Sequence, residues 1–291
     1  MAKNLVQDLI NNPGAIIKSM PGTGRPAKCA VAPVSDPTKK PRVAVQRTNV
    51  ALPDRTVNMS NALARGAQGL SLTQKRIIAL AMAKTDSMSA IDAATSQGGW
   101  KVRLTAGEYV DTYAVDPTTA YEQLQLGCRS LLKTLWRTIT PPQKGKGEVV
   151  TEGQWLFLAE YRKREGTVDI VFHPKVSPHL LALRSHFVTY KLKQTAALRS
   201  IYAWRLMECI QSWRDKGIWK VDVEDFIKAM EAPQSCAANF KDLRRRVIEP
   251  AVKELVEKDS MKIEWEPVKA GRKVTGLIFR FAPDPQGRLD L

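Results

Sequence analysis

Within 43 residues near its C-terminal end, at 239–281, this chain changes its hydrophobic period from helical to extended. Phe240, Leu243, Val247, Ala251 and Leu255 recur every three or four residues, which is one apolar stripe of a helix facing a core. After Ser260 the period becomes two. Ile263 and Trp265 alternate with charged residues, and Leu277, Phe279 and Phe281 alternate on the return. Between these runs, residues 269–273 (KAGRK) supply a turn containing glycine, so the pair reads as a β-hairpin with a basic tip.

The polar face of that helix narrows the reading further. Lys241, Arg244 and Arg245 fall together beside the apolar stripe, Arg246 extends the charge, and Asn239 stands at the helix start. Three adjacent arginines repel one another unless something anionic compensates, and Asp242 and Glu249 offset only part of that. A cationic helix beside a cationic hairpin suits a duplex: the helix enters a major groove about 12 Å wide while the hairpin tip reaches neighbouring phosphates. The layout is that of a winged helix. Pro250 falls inside this helix, where its ring would meet the carbonyl of Arg246, and predicts a bend.

Charge across the whole chain agrees. The formal charge is +16 over 291 residues, divided as +6 for residues 1–55 (9 basic, 3 acidic), +4 for 56–179 (15 and 11) and +6 for 180–291 (21 and 15). An excess spread in this way suits a long polyanion touched at several points. No apolar stretch reaches the roughly 18–20 residues of a membrane span, and no secretory signal or lipidation motif is present, so the reading is a cytoplasmic bacterial protein without a membrane partner. Cys29, Cys128, Cys209 and Cys236 are far apart with no CxxC pair. His173, His179 and His186 are six and seven residues apart, which is no metal-ligand spacing. The expectation is no metal, no cofactor and no catalytic residue.

Residues 1–55 read as a disordered basic arm, because residues 13–55 are rich in Pro, Gly, Ser, Thr and Lys and offer little to bury. Order is expected from about Leu70. A helix over 70–84 starts at Ser71, followed by a strand at 100–104. The capping-box pair Thr105 and Glu108 opens a short helix, and Asp116-Pro117 opens a third, expected to run to about Arg137. Strands follow at 155–161 and 167–173. The second half repeats this order: a long helix over 195–216, a strand at 218–221, a helix over 223–230 with Asp222 and Asp225 at its start, then the arginine helix and the hairpin. Thr105 and Asp222, Glu108 and Asp225, and Tyr109 and Phe226 are each 117 positions apart. An internal repeat of about 120 residues means a duplicated domain. The fold class is thus α+β, two tandem winged-helix domains related by duplication and preceded by the arm. The divisions are 1–55, 56–180 and 181–291. The first copy has fewer cations on its third helix (Arg129, Lys133, Arg137) and is expected to grip phosphates or protein.

Five segments in fixed order carry a resemblance: LSLTQKRIIALAMAKTD from Leu70, LTAGEYVDTY from Leu104, HLLALRSHFVTYKLKQTAALRSIYAWRLMECIQSWRDKG from His179, FKDLRRRVIEPAVKELVEKD from Phe240, and SMKIEWEPVKAGRKVTGLIF from Ser260. Over residues 60–281 the chain resembles the plasmid replication initiators with two winged-helix domains, the iteron-binding Rep proteins. Residues 85–99 and 141–153 depart from that pattern. The resemblance implies monomers that bind direct repeats at a plasmid origin and help open it with host replication proteins (an initiator and a helicase). It also implies homodimers, joined largely through the first domain, that bind an inverted-repeat operator and repress their own gene. On this sequence the family's base-reading helix falls on Asn239 to Arg246, with base contacts from Lys241, Arg244 and Arg245 and with Asn239 and Arg246 as further DNA contacts. Lys269, Arg272 and Lys273 become phosphate contacts from the wing, with Lys191, Lys193, Arg129 and Lys133 as weaker DNA contacts. A dedicated repressor of the same fold is the alternative. An enzyme is not: the histidines lack a nickase's metal pair, and neither GTGRPAK at Gly22 nor KGKG at Lys144 is a nucleotide-binding loop.

Overall fold

The computed structural model describes residues 50–85, 99–140, 147–181, 187–259 and 261–283. The arm expected over 1–55 therefore lies outside the described residues except for its last six. Those six are ordered. A 3-10 turn, Leu52–Asp54, has Pro53 as its second residue and packs Leu52 against the core, and the backbone carbonyl of Arg55 accepts from Leu192 N–H at 2.9 Å. Structure thus begins well before Leu70.

Strand β1 (Thr56–Ser60) pairs antiparallel with β7 (Phe187–Lys191), joining segments more than 120 residues apart. No local pattern announces such a pairing. Ser60 then caps α1 (Asn61–Arg65), its hydroxyl accepting from Leu63 N–H at 3.2 Å. Helix α2 (Leu72–Lys84) begins with the reciprocal capping box of Ser71 and Gln74 and is buried from Gln74 to Ala83, as a central helix must be.

Two three-stranded sheets follow the same plan. In the first, β2 (Trp100–Thr105), β5 (Leu156–Arg162) and β6 (Thr167–Phe172) lie in the order β2-β6-β5. In the second, β8 (Ile218–Asp222), β9 (Met261–Ala270) and β10 (Lys273–Pro283) lie in the order β8-β10-β9. Each first strand leads into a short helix, α3 (Ala106–Tyr113) or α7 (Val223–Met230). Both helices end on a left-handed residue that is not glycine, Ala114 at φ 48° and Glu231 at φ 51°. These two positions are again 117 apart, so the duplication extends to backbone conformation. Thr105 and Glu108 form their capping box, whereas Asp222 caps α7 with no side-chain bond.

The third helix of the first unit, α4 (Pro117–Leu131), starts on Asp116 and stops six residues before the expected end at Arg137. Leu135–Thr140 is instead a strand, β3, paired with β4 (Val149–Gln154). Leu131, Leu132 and Leu135 fit a helical spacing, but Trp136 and Thr138 fit a period of two. Pairing with β4 decides in favour of the strand, burying both and letting the Trp136 indole N–H donate to Gln154 O at 3.1 Å.

The long helix expected over 195–216 is also divided, into α5 (Leu192–Ala196) and α6 (Ile201–Gln211). Partners outside the helix take over the backbone between them. Glu254 accepts from Arg199 N–H and Ser200 N–H at 2.5 and 3.1 Å, Leu198 O accepts from Arg76 at 3.1 Å, and Ser200 caps α6.

A buried polar joint ties the two halves through α6. Lys75 Nζ lies 2.6 Å from both carboxylate oxygens of Glu208 and from Gln68 Oε1, and Tyr190 OH donates to Glu208 at 3.1 Å. Arg205 donates to the carbonyls of Ala64 and Gly66 on one side and Ala229 on the other. Glu231 accepts from Gln68 N–H and Gly69 N–H. Burial pushes the Lys75 ammonium down to about 8 even beside the Glu208 carboxylate.

Candidate nucleic-acid interface

The arginine helix is built in three pieces. After a short α8 (Gln234–Ala237), Asn239 caps α9 (Phe240–Leu243), its side-chain oxygen accepting from Lys241 N–H at 2.9 Å. A π-helical stretch (Arg244–Ile248) follows and runs on into α10 (Glu249–Lys258). Where a bend was expected at Pro250, the helix has a widened turn immediately before it: Glu249 N–H donates to Arg244 O, five residues back. The expected apolar stripe is buried at Leu243, Val247, Ala251 and Leu255, and Ile248 joins it. Lys241, Arg244, Arg245 and Arg246 are all exposed.

Two of the three arginines are held. Arg244 Nε donates to Glu249 Oε1 at 2.6 Å, and its guanidinium carbon stands 5.7 Å from the centre of the Trp265 ring at the root of the hairpin. Arg245 pairs with Asp242 at 3.3 Å. Both acidic residues that the sequence offered as partial compensation are used. Among the described residues no ion pair reaches Lys241 or Arg246.

The hairpin is anchored at its root and bare at its tip. Met261, Ile263, Leu277, Phe279 and Phe281 are buried, and Phe279 stacks with Trp219 and Phe226 at 5.4 and 5.6 Å between ring centres. Beyond this root, residues 266–275 are exposed apart from a half-buried Val274, so the strands project about 15 Å at the usual rise per residue. Ala270 pairs with Lys273, leaving Gly271 and Arg272 as a two-residue loop. Gly271 has φ 62°, which a tight hairpin loop needs at its first position and which a side chain would oppose. Lys269, Arg272 and Lys273 cluster at this tip, exposed, with no ion pair among the described residues.

The other sequence-predicted cations are placed differently. Arg129 is exposed near the end of α4, its guanidinium carbon 5.9 Å from the Tyr161 ring centre. Lys133 is exposed but lies in the turn after α4, and Arg137 lies on β3 with Glu152 at 3.5 Å, so the third helix of the first unit carries one of its three expected cations. Lys191 is exposed at the end of β7. Lys193 pairs with Asp54 at 3.0 Å, a hydrogen bond that holds the Asp54 carboxyl below its usual range.

Sequence reasoning missed one charged cluster. Lys101, Arg103 and Arg162 converge on the buried Asp169 at 3.3, 2.7 and 2.6 Å across β2, β6 and β5. Hydrogen bonding to Arg103 above all holds the Asp169 carboxyl well below the usual carboxylate range. Alternation on each strand was readable, but not which strands were neighbours. Among the described residues no group of three His, Cys, Asp or Glu could hold a metal, and no helix is long and apolar enough to cross a membrane. Cys128, Cys209 and Cys236 are buried and free, and burial pushes the first two thiols up to about 12 and about 11. Cys29 and His186 lie outside the described residues.

Two units with the same sheet order, the second carrying an arginine-faced third helix beside a long basic wing, define a DNA-binding protein of the winged-helix class. The chain belongs to the replication initiator family: residues 56–211 match the model "Initiator Replication protein, WH1" and residues 222–281 match "Initiator Rep protein, WH2". It is a plasmid replication initiator. An "Uncharacterized 27.6 kDa protein" of Escherichia coli is 24% identical over 231 residues, covering 78% of this chain and 95% of that one. A "Probable replication protein rep" of Bifidobacterium longum (strain NCC 2705) is 28% identical over 124 residues, covering 43% of this chain and 41% of that one. Among solved structures, the Pi initiator protein in complex with iteron DNA superimposes with a TM-score of 0.66 at 18% identity, covering 81% of this chain and all of that one. That likeness establishes the shared fold.

Proposed function

We propose that this initiator binds short direct repeats at a plasmid origin as a monomer and promotes opening of the adjacent duplex. The second unit reads sequence and the first grips the backbone. One observation carries this reading: an exposed arginine face stands beside a projecting wing whose tip has three cations without an ion pair among the described residues. Lys241, Arg244 and Arg245 contact base edges, with Arg bidentate to guanine, and Asn239 and Arg246 flank them. Lys269, Arg272 and Lys273 lie along phosphates. Arg129 and Lys133, with Lys191 and Lys193, add backbone contacts that position the protein without reading sequence. That the Pi initiator, which has the same fold, was solved with iteron DNA supports direct repeats as the target.

A homodimer formed through the first unit represses the initiator's own gene at an inverted repeat. In support, β3 and β4 form a two-stranded sheet with Leu135, Ile139, Val149 and Val150 exposed. An apolar surface on a short, open sheet favours a partner strand. The protein acts in the bacterial cytoplasm through host initiator and helicase proteins and performs no bond chemistry itself.

A nuclease footprint on DNA flanking its own gene, at physiological salt, tests this. Regularly spaced protection over direct repeats beside an AT-rich stretch is the expected result. Protection of a single inverted repeat at the promoter would make it a dedicated repressor, and the absence of any discrete footprint would leave only a basic DNA-coating protein.

A further inference from the structure

Arg244 and Glu249 meet at 2.6 Å although they are five residues apart in one helix. In a regular α-helix, residues five apart point about 140° away from each other around the axis, so such a pair does not face. The π-helical stretch removes the difficulty, since a turn closed five residues back sets Glu249 beneath Arg244. Pro250 follows directly. It has no N–H to donate, and in an unbroken α-helix its ring would strike the carbonyl of Arg246. A widened turn just before it relieves that clash.

We propose that Pro250 is a specificity-positioning residue: the widened turn it enforces brings Glu249 under Arg244 and so presents the Arg244 guanidinium to one base position. This rests on the proposed reading of the helix as the base reader.

The three arginines differ in this respect. Arg245 pairs with Asp242 three residues away, which any α-turn allows, and Arg246 has no ion pair among the described residues. Arg244 is gripped from two sides, by Glu249 at Nε and by the face of Trp265 on the wing strand at 5.7 Å. Because Glu249 occupies Nε, the two terminal nitrogens keep the parallel pair of donors that guanine O6 and N7 accept. Holding a long side chain in place before binding also lowers the rotamer entropy lost in the complex. Trp265 couples the same guanidinium to the wing, so helix and wing are set in one register.

The test starts from a duplex selected out of a random pool by the full-length chain. Affinities for that duplex and all its single-base variants are measured for the parent, Arg244→Ala, Pro250→Ala and the double variant. Alanine is the better helix former, so Pro250→Ala keeps the fold, which circular dichroism and thermal melting check. Pro250→Ala is expected to lose discrimination on the order of tenfold at the one position that Arg244→Ala also relaxes, with the other positions within about twofold. The double variant then discriminates no worse than Arg244→Ala alone. Full retention of discrimination in Pro250→Ala, an even loss at every position, or additive losses in the double variant would each overturn the proposal. If Arg244→Ala relaxes no position, the base-reading assignment fails first and this proposal with it.

Discussion

The third helices of the two units start alike and end as different devices. Each opens on an Asx cap, Asp116 accepting from Thr118 N–H at 2.8 Å and Asn239 from Lys241 N–H at 2.9 Å. Helix α4 then runs as an unbroken helix to Leu131, with Gly127 so close to Ile77 and Thr73 of α2 that an added Cβ would have to displace the end of the Ile77 side chain. Its counterpart widens into a π-turn and exposes Lys241 and three consecutive arginines. The wings diverge in the same sense. The strands of the β5–β6 hairpin are short, and Arg162 at its edge is consumed by Asp169, whereas the longer β9–β10 hairpin projects with three cations that have no ion pair among the described residues. Duplication kept what the core needs (caps, sheet order and left-handed helix ends) and let the exposed positions separate. The shared sheet order thus underlies two units to which the proposed reading gives different tasks, gripping and reading.

The comparison breaks hardest at the joint both units share. Glu208→Leu leaves the buried Lys75 ammonium without its carboxylate, and the expected loss is about 3–5 kcal/mol of unfolding free energy in a urea titration. Loss of only a few tenths would mean the joint is not a structural bond between the halves. Next in size, Arg245→Ala is expected to weaken binding to the cognate repeat by about 1–3 kcal/mol and to relax preference at a single base position, read from competition with single-base variants.

The far ends of the two helices give a sharper contrast. Helix α4 ends with Arg129 in its last turn, whereas α10 is followed at its C-cap by Asp259, whose burial pushes its carboxyl up to about 6 and whose side chain receives, among the described residues, the Gln194 amide at 2.8 Å. Because the folded value lies above the unfolded one, the contribution of this group is present below about pH 4 and is lost as pH rises through about 6. Asp259→Asn is therefore expected to stabilise by roughly 1–2 kcal/mol at pH 7.5 and to show no advantage at pH 4, by chemical denaturation at both.

The smallest effects separate grip from reading. Lys273→Ala should weaken all duplexes by the same factor and flatten the salt slope by about 0.9, and Arg129→Ala should do so to a lesser extent, neither changing base preference. A base-specific change from Arg129→Ala would contradict the division of labour between the units.

Much of this was legible because the relevant signals are local. The capping box of Thr105 and Glu108, the stripe from Leu243 to Leu255 and the glycine loop at Gly271 each depend on residues within a few positions of one another. The basic helix and wing tip were legible for the same reason, being two short runs. Errors occurred where distant partners chose between two local options. Residues 135–140 satisfy both periods until β4 pairs with them, and 197–200 could have continued a helix until Glu254 and Arg76 took their backbone groups.

What the sequence alone determined is the duplicated winged-helix plan and the cationic surface of the second unit's third helix, since period, caps and charge are written residue by residue. Tertiary structure decided which charges are available. It consumed Arg162 on Asp169, paired Lys193 with Asp54, buried Lys75 with Glu208, and left the wing tip unpaired among the described residues. The physical reason is range: an ion pair or a strand pairing needs two groups within a few ångströms, and only the folded chain determines which groups those are.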